Sequence, residues 1–151
     1  MVKNHAARWW PIPLRLIVGY GFLAHGVAKL LRGAGAFAAV LHALGVPFPS
    51  AMASATIAIE LAGGAAILLG AWVRVAAVPL ALVMIVAALS VHLPYGFSSI
   101  KLVEVTAAGP RFGPPGYEMN LLYLACLAAL AVGGTGPLSI GNDKGAARRR
   151  E

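Results

Sequence analysis

Hydrophobic and polar positions along the chain alternate between four long apolar runs and short polar breaks. The run at residues 51–70 is twenty residues of small and aliphatic side chains with one carboxylate, Glu60, at its middle. That length and composition match a membrane-spanning helix. Three further runs, at about 12–31, 75–93 and 117–132, read the same way. Residues 37–45, FAAVLHALG, form a shorter apolar piece ended by VPFPS, and predict a helix lying along the interface after the first span. Residues 71–74 leave only a tight turn between the second and third spans, which makes those two antiparallel neighbours. The longest polar stretch is 94–116. Within it residues 100–105 alternate, and 108–110 read as a turn, which predicts a small hairpin or cap. The expected architecture is an all-α, integral membrane four-helix bundle with this extracytoplasmic loop or hairpin. It forms a single domain over 1–143, and the basic residues 144–151 form a disordered tail.

Composition strengthens that picture. The chain has 151 residues, 60% hydrophobic and 11% charged, against about 45–50% and about 25% in soluble domains. The net charge of +7 does not point to nucleic acid, because the basic residues cluster at span ends rather than along one polar face. The first run is long for a signal peptide and carries His25 and Lys29 in its later half, so it reads as a retained span. The single cysteine, Cys126, lies in an apolar run and reads as a small core residue. With one cysteine, no internal disulfide or CxxC pair can form, so electron chemistry needs a bound cofactor, a substrate or a partner. GxSxG, P-loop and dinucleotide-binding patterns are missing from the sequence.

Charge also sets orientation. Four crossings put both ends of the chain on one side, with Lys3, Arg8, Arg15, Arg74, Lys144 and residues 148–150, eight of the twelve basic residues. That bias places both termini in the cytoplasm. Trp9, Trp10 and Trp72 suit headgroup level on the same side. Counting inward at helical rise, Glu60 lies roughly 15 Å deep, His25 roughly 20 Å and Lys29 roughly 26 Å. His92 and Glu118 fall near the outer surface. Five ionisable groups from four spans therefore gather in the outer half. An intramembrane ionisable group marks a functional place by default. The expectation is an outer polar pocket with Glu60 at its floor facing His25, Lys29 bridging toward Glu118, and His92 at the rim. Arg15, near the cytoplasmic end, is expected to snorkel to the interface. No metal site is expected.

The stretch RLIVGYGFLAHGVAKL, with Arg15, Gly19, His25, Gly26 and Lys29, resembles the first helix of the DoxX family of small bacterial membrane proteins. Glu60 followed by Gly63, Gly64, Gly70 and Arg74 is similar to that family's second helix, and Glu118 opens the last span in the same way. GTGPLSIGND resembles its closing turn, with Gly141 standing where the family often has Asp. The resemblance implies kinship with the membrane subunit of thiosulfate:quinone oxidoreductase, and hence a quinone as cofactor. By that analogy His25, Lys29, Glu60 and His92 would hold the quinone, and Glu60, His25 and Glu118 would handle protons. The bilayer, a protein partner or a second copy would be its neighbours. Competing expectations are a non-enzymatic anchor or assembly subunit of a larger complex, and an oligomeric transporter. A haem held between His25 and His92 is disfavoured by a depth difference of roughly 8 Å.

Overall fold

The computed structural model describes residues 8–140. Five α-helices carry the fold: α1 Pro11–Arg32, α2 Ala34–Ala43, α3 Pro49–Leu69, α4 Val73–Ala87 and α5 Glu118–Gly133. The expected tail lies outside the described residues, as do Lys3 and His5. Prolines start α1 and α3, where a missing N–H costs nothing. Pro79 sits inside α4, and the helix runs on beyond it. A single π-helical stretch, Ala88–His92, and a 3₁₀ turn, Leu93–Tyr95, then extend it. By length and apolar composition three segments can cross a membrane: Pro11–Arg32, Pro49–Leu69 and Val73–Tyr95. The remaining apolar run, α5, has 16 residues and is shorter than these.

α1 packs on α3, α3 on α4, α4 on α5, and α5 back on α1. Val18 and Phe22 of α1, Ile67 of α3, Val73, Ala77 and Leu80 of α4, and Leu127 and Leu130 of α5 form the shared core. Cys126 is half-buried at its edge. Phe22 meets Tyr123 edge to face, with centroids 5.4 Å apart. Bonds between helix ends show that neighbours run antiparallel. The start of α1 reaches the end of α3, since Arg15 donates to Ile67. Likewise the start of α4 reaches the end of α5, since Arg74 Nε donates to the Ala131 carbonyl at 2.9 Å.

Inside a bilayer, helices gain little by hiding apolar surface from one another, so close backbone packing and polar ties must hold them. The α1–α3 seam supplies the packing. A Cβ on Gly19 would lie 2.7 Å from the Leu68 nitrogen, and one on Gly64 would lie 2.9 Å from the Leu23 nitrogen. Both helices are bare of side chain at the crossing, so the backbones touch.

The short helix expected after the first span is α2. It begins earlier than the hydropathy suggests, at Ala34, because Gly33 (φ 89°) turns the chain directly out of α1. At its far end Gly45 (φ 73°) turns the chain again before α3. Among the described residues the one sheet is the expected hairpin, β1 Leu102–Thr106 and β2 Gly109–Phe112, antiparallel, with a bulge between Leu102 and Glu104. Its base is tied to the start of α5 by backbone bonds from Gly116, Tyr117 and Glu118 to Ser98, Gly96 and Phe97. The antiparallel order puts the hairpin at the same end of the molecule as α2.

The seam makes a direct prediction for thermal unfolding in detergent. Gly64→Ala drives a methyl into the α1 backbone and lowers stability by about 1–3 kcal/mol. Gly35→Ala meets nothing within 4 Å and is neutral or stabilising by up to about 1 kcal/mol.

Candidate functional site

Glu60 is 1% exposed, in the middle of α3 and surrounded by apolar helices. Its carboxylate is not alone. Lys29 Nζ of α1 reaches it at 2.5 Å from Oε1 and 2.6 Å from Oε2. Gly26, one turn before Lys29, makes the approach possible: a Cβ there would lie 3.2 Å from the Glu60 Cβ and 2.9 Å from Leu61. On the other flank Lys29 Nζ lies 5.0 Å from the centre of the Phe37 ring, contributed by α2. The ammonium is thus held between a carboxylate and an aromatic face, and the Lys29 side chain stays 24% exposed. Geometrically this is a neutral ion pair at the α2 end of the bundle, closed below by α3, roofed by α2 and partly open at Lys29.

The structure redistributes the rest of the expected pocket. Lys29 turns down to Glu60 and not across to Glu118. His25 is exposed and makes no hydrogen bond or ion pair among the described residues. It follows Ala24 and precedes buried Gly26, and successive helical residues point about 100° apart, so seating Gly26 against α3 turns His25 away from Glu60. Glu118 Oε2 instead accepts the backbone N–H of Ser99 at 2.9 Å, which ties the hairpin base to α5. His92 Nδ1 pairs with the Pro115 carbonyl at 3.0 Å. Among the described residues, no hydrogen bond joins Glu118 or His92 to the Lys29–Glu60 pair. Nor is there any group of three or more His, Cys, Asp or Glu arranged to hold a metal ion.

Arg15 is a second polar centre that the sequence reading misplaced. It does not snorkel. It is 3% exposed and its guanidinium spends all five N–H bonds on backbone carbonyls. Nε donates to Ile67 at 3.2 Å. Nη1 donates to Thr135 and Pro137 at 3.0 and 3.1 Å. Nη2 donates to Leu68 and Leu138, each at 2.9 Å. Ile67 and Leu68 are last-turn residues of α3, at the negative end of its dipole; the Ile67 carbonyl also accepts the N–H of Gly70 at 3.1 Å. Thr135, Pro137 and Leu138 belong to the closing segment after α5. One side chain therefore joins three parts of the chain. The local signal was present: Arg15 lies on the same 3–4-spaced stripe as Gly19, Phe22 and Gly26, all buried.

The DoxX family model matches residues 11–93, more than half of the chain, and that span contains Arg15, Lys29, Glu60 and both halves of the glycine seam. The chain belongs to the DoxX family. No curated protein and no solved structure matches it. Membership of this family and three apolar crossing segments make it a multi-pass membrane protein.

Two substitutions separate the polar centres. Lys29→Met strands a buried carboxylate and is expected to cost about 3–5 kcal/mol in detergent unfolding, whereas Lys29→Met combined with Glu60→Leu recovers most of that loss. At the other centre the charge-conserving Arg15→Lys is not conservative. A lysine has three donors for five carbonyls, and each carbonyl left buried and unbonded costs about 1–3 kcal/mol. Unfolding curves of the two series in one detergent check both.

Proposed function

We propose that this DoxX protein is the membrane subunit of an oxidoreductase, in which the Lys29–Glu60 pair binds a quinone headgroup and relays protons to it. The observation that carries the reading is the half-open ion pair: a fully buried carboxylate whose one cationic partner among the described residues keeps a quarter of its side chain exposed. A quinone supplies two-electron, two-proton redox chemistry when bound, with the electrons coming from a reduced sulfur compound or from a partner protein. The residues fit that group. Lys29 has an N–H beyond the two turned to Glu60, suited to a carbonyl oxygen. Phe37 provides an aromatic wall beside it. Glu60 accepts two hydrogen bonds from the same ammonium, so a proton can pass between the two groups. Glu118 and His92 then belong to proton entry from the hairpin end. His25, on the exposed surface of α1, belongs to the path by which a lipid-soluble ligand arrives.

In this reading α5 is the fourth crossing, the chain is a four-helix bundle, both termini are cytoplasmic, and the membrane is the bacterial inner membrane. That orientation rests on the distribution of basic residues along the sequence.

A second reading, a non-enzymatic anchor for a larger complex, has two observations in its favour. Both Glu60 oxygens are already engaged by Lys29, and an open apolar groove lined by Leu16, Tyr20 and Leu68 lies at the Arg15 end, away from the pair. An anchor needs the pair only as a tie between helices, and its doubly apolar replacement would then leave assembly and activity of the complex unchanged.

Binding of a short-chain quinone to the purified protein in detergent tests the first reading. Glu60→Gln and Lys29→Met each weaken it by about tenfold, the loss of one hydrogen bond to a charged group, and Lys29→Arg retains most of it. His25→Ala has the smaller effect. Unchanged affinity in a folded Lys29→Met, Glu60→Gln double variant sinks the proposal.

A further inference from the structure

The hairpin between α4 and α5 is amphipathic, and its apolar face is uncovered. Directly opposed residues of an antiparallel pair share a face of the sheet. The register pairs Leu102 with Phe112 and Val105 with Pro110, all apolar. It pairs Glu104 with Arg111 and Thr106 with Gly109, and Glu104 and Arg111 also form an ion pair. Without the bulge, Leu102 and Val105 would lie on opposite faces, because side chains alternate along a strand. The extra residue at the bulge brings the two apolar pairs to one side and leaves the ion pair and Thr106 on the other. Yet Leu102, Val105 and Phe112 are 58%, 74% and 60% exposed, and neither strand packs extensively on a helix. A lone two-stranded hairpin is marginally stable in water, and a contiguous apolar patch of this kind marks a surface that is covered in use.

We infer that the bilayer covers it: the hairpin lies in the headgroup region with its apolar face turned to the acyl chains. Three observations select lipid over a protein partner. The base of the ribbon is bonded directly to the first residues of α5, so the hairpin is held at the height where the bundle ends and not on a stalk above it. Exposed Leu89 and Leu93 at the end of the third crossing segment lead through exposed Phe97 to the hairpin, so the apolar face continues the lipid-facing surface of the span. Phe97 also packs edge to face on Tyr117 at 5.7 Å, an aromatic pair at the depth where such rings favour the interface. Charge agrees. On the polar face Arg111 and Glu104 neutralise each other. Lys101, at the base, forms no ion pair among the described residues and carries a free positive charge suited to a lipid phosphate.

The hairpin thereby adds a contact with the bilayer at this end, beside the helices, and it fixes the depth of Glu118, which is bonded to its base. The test uses the full chain with Cys126→Ala, carrying an environment-sensitive fluorophore on Val105→Cys or Phe112→Cys, with Thr106→Cys as the polar-face control. The proteins are placed in nanodiscs of phosphatidylcholine and phosphatidylglycerol. The labels at 105 and 112 are expected to emit at shorter wavelength, to lose most of their fluorescence to a lipid spin-labelled near the headgroup, and to be shielded from aqueous iodide. The label at 106 is expected to show the reverse. Iodide quenching at 105 and 112 equal to that at 106 overturns the inference by showing a ribbon free in water. Shielding from both quenchers overturns it too, by showing a face covered with protein.

Discussion

No charge can stay unpaired between two helices that touch backbone to backbone in oil. The α1–α3 seam depends on this constraint. Gly19 and Gly64 bring the helices within contact distance, and that closeness removes any water that might have solvated a polar group nearby. Lys29 and Glu60 sit on one side of the crossing, Arg15 on the other. Each is a tie whose loss leaves a buried charge or a set of bare carbonyls. The apolar residues of the core add contact, but apolar contact alone does not choose between one helix rotation and another in lipid. The polar ties do, because only one rotation brings Lys29 over Glu60 while Arg15 meets the end of α3.

The two ties solve the same problem with different means. Glu60 is matched by an opposite charge. Arg15 is matched by dipoles, five carbonyls around one planar cation, two of them at the negative end of α3. The guanidinium has no donor left for anything else, and its carbonyl partners come from segments that must stay docked. That centre holds structure. The ion pair is saturated only on the carboxylate side. Its ammonium has a donor to spare and part of its side chain uncovered, which is why the proposed binding role falls there and not at Arg15.

Much of this was legible in the sequence because depth in a membrane follows residue count. The long apolar runs, the short helix after the first of them, the short turn before α4 and the alternating stretch of the hairpin all follow from period and length. Counting at helical rise placed Lys29 and Glu60 in the same part of the bundle, roughly 11 Å apart in depth, but did not pair them. Rotation about the helix axis was not legible. His25 and Gly26 are neighbours in the chain and about 100° apart on the helix. Which of them meets α3 depends on the glycine packing of both helices. The hydrogen bonds of Glu118 and His92 were hidden for another reason: Ser99 and Pro115 lie in irregular chain around the hairpin, where no repeat reports position. The partners of Arg15 lie up to 123 residues away. A buried stripe can show that an arginine is enclosed, but not that carbonyls rather than a carboxylate will receive it. The bulge in β1 is of the same kind: one added residue that reassigns faces and leaves no mark in composition.

The two ends of the molecule differ as a consequence. At the Arg15 end, the closing segment is drawn over α1 and α3 by hydrogen bonds that fill every donor, and the bundle is sealed. At the other end, α2 crosses over Lys29 between two left-handed glycines, Gly33 and Gly45, neither with any atom near enough to crowd a Cβ. The aromatic contact of Phe37 with Lys29 is a modest interaction, about 0.5–2 kcal/mol, while the ion pair beneath it is far harder to break. Displacing α2 therefore uncovers the ammonium long before the helices it joins can part. A ligand approaching Glu60 meets least resistance under α2, and the same geometry that keeps the bundle rigid leaves its polar centre accessible from one end only.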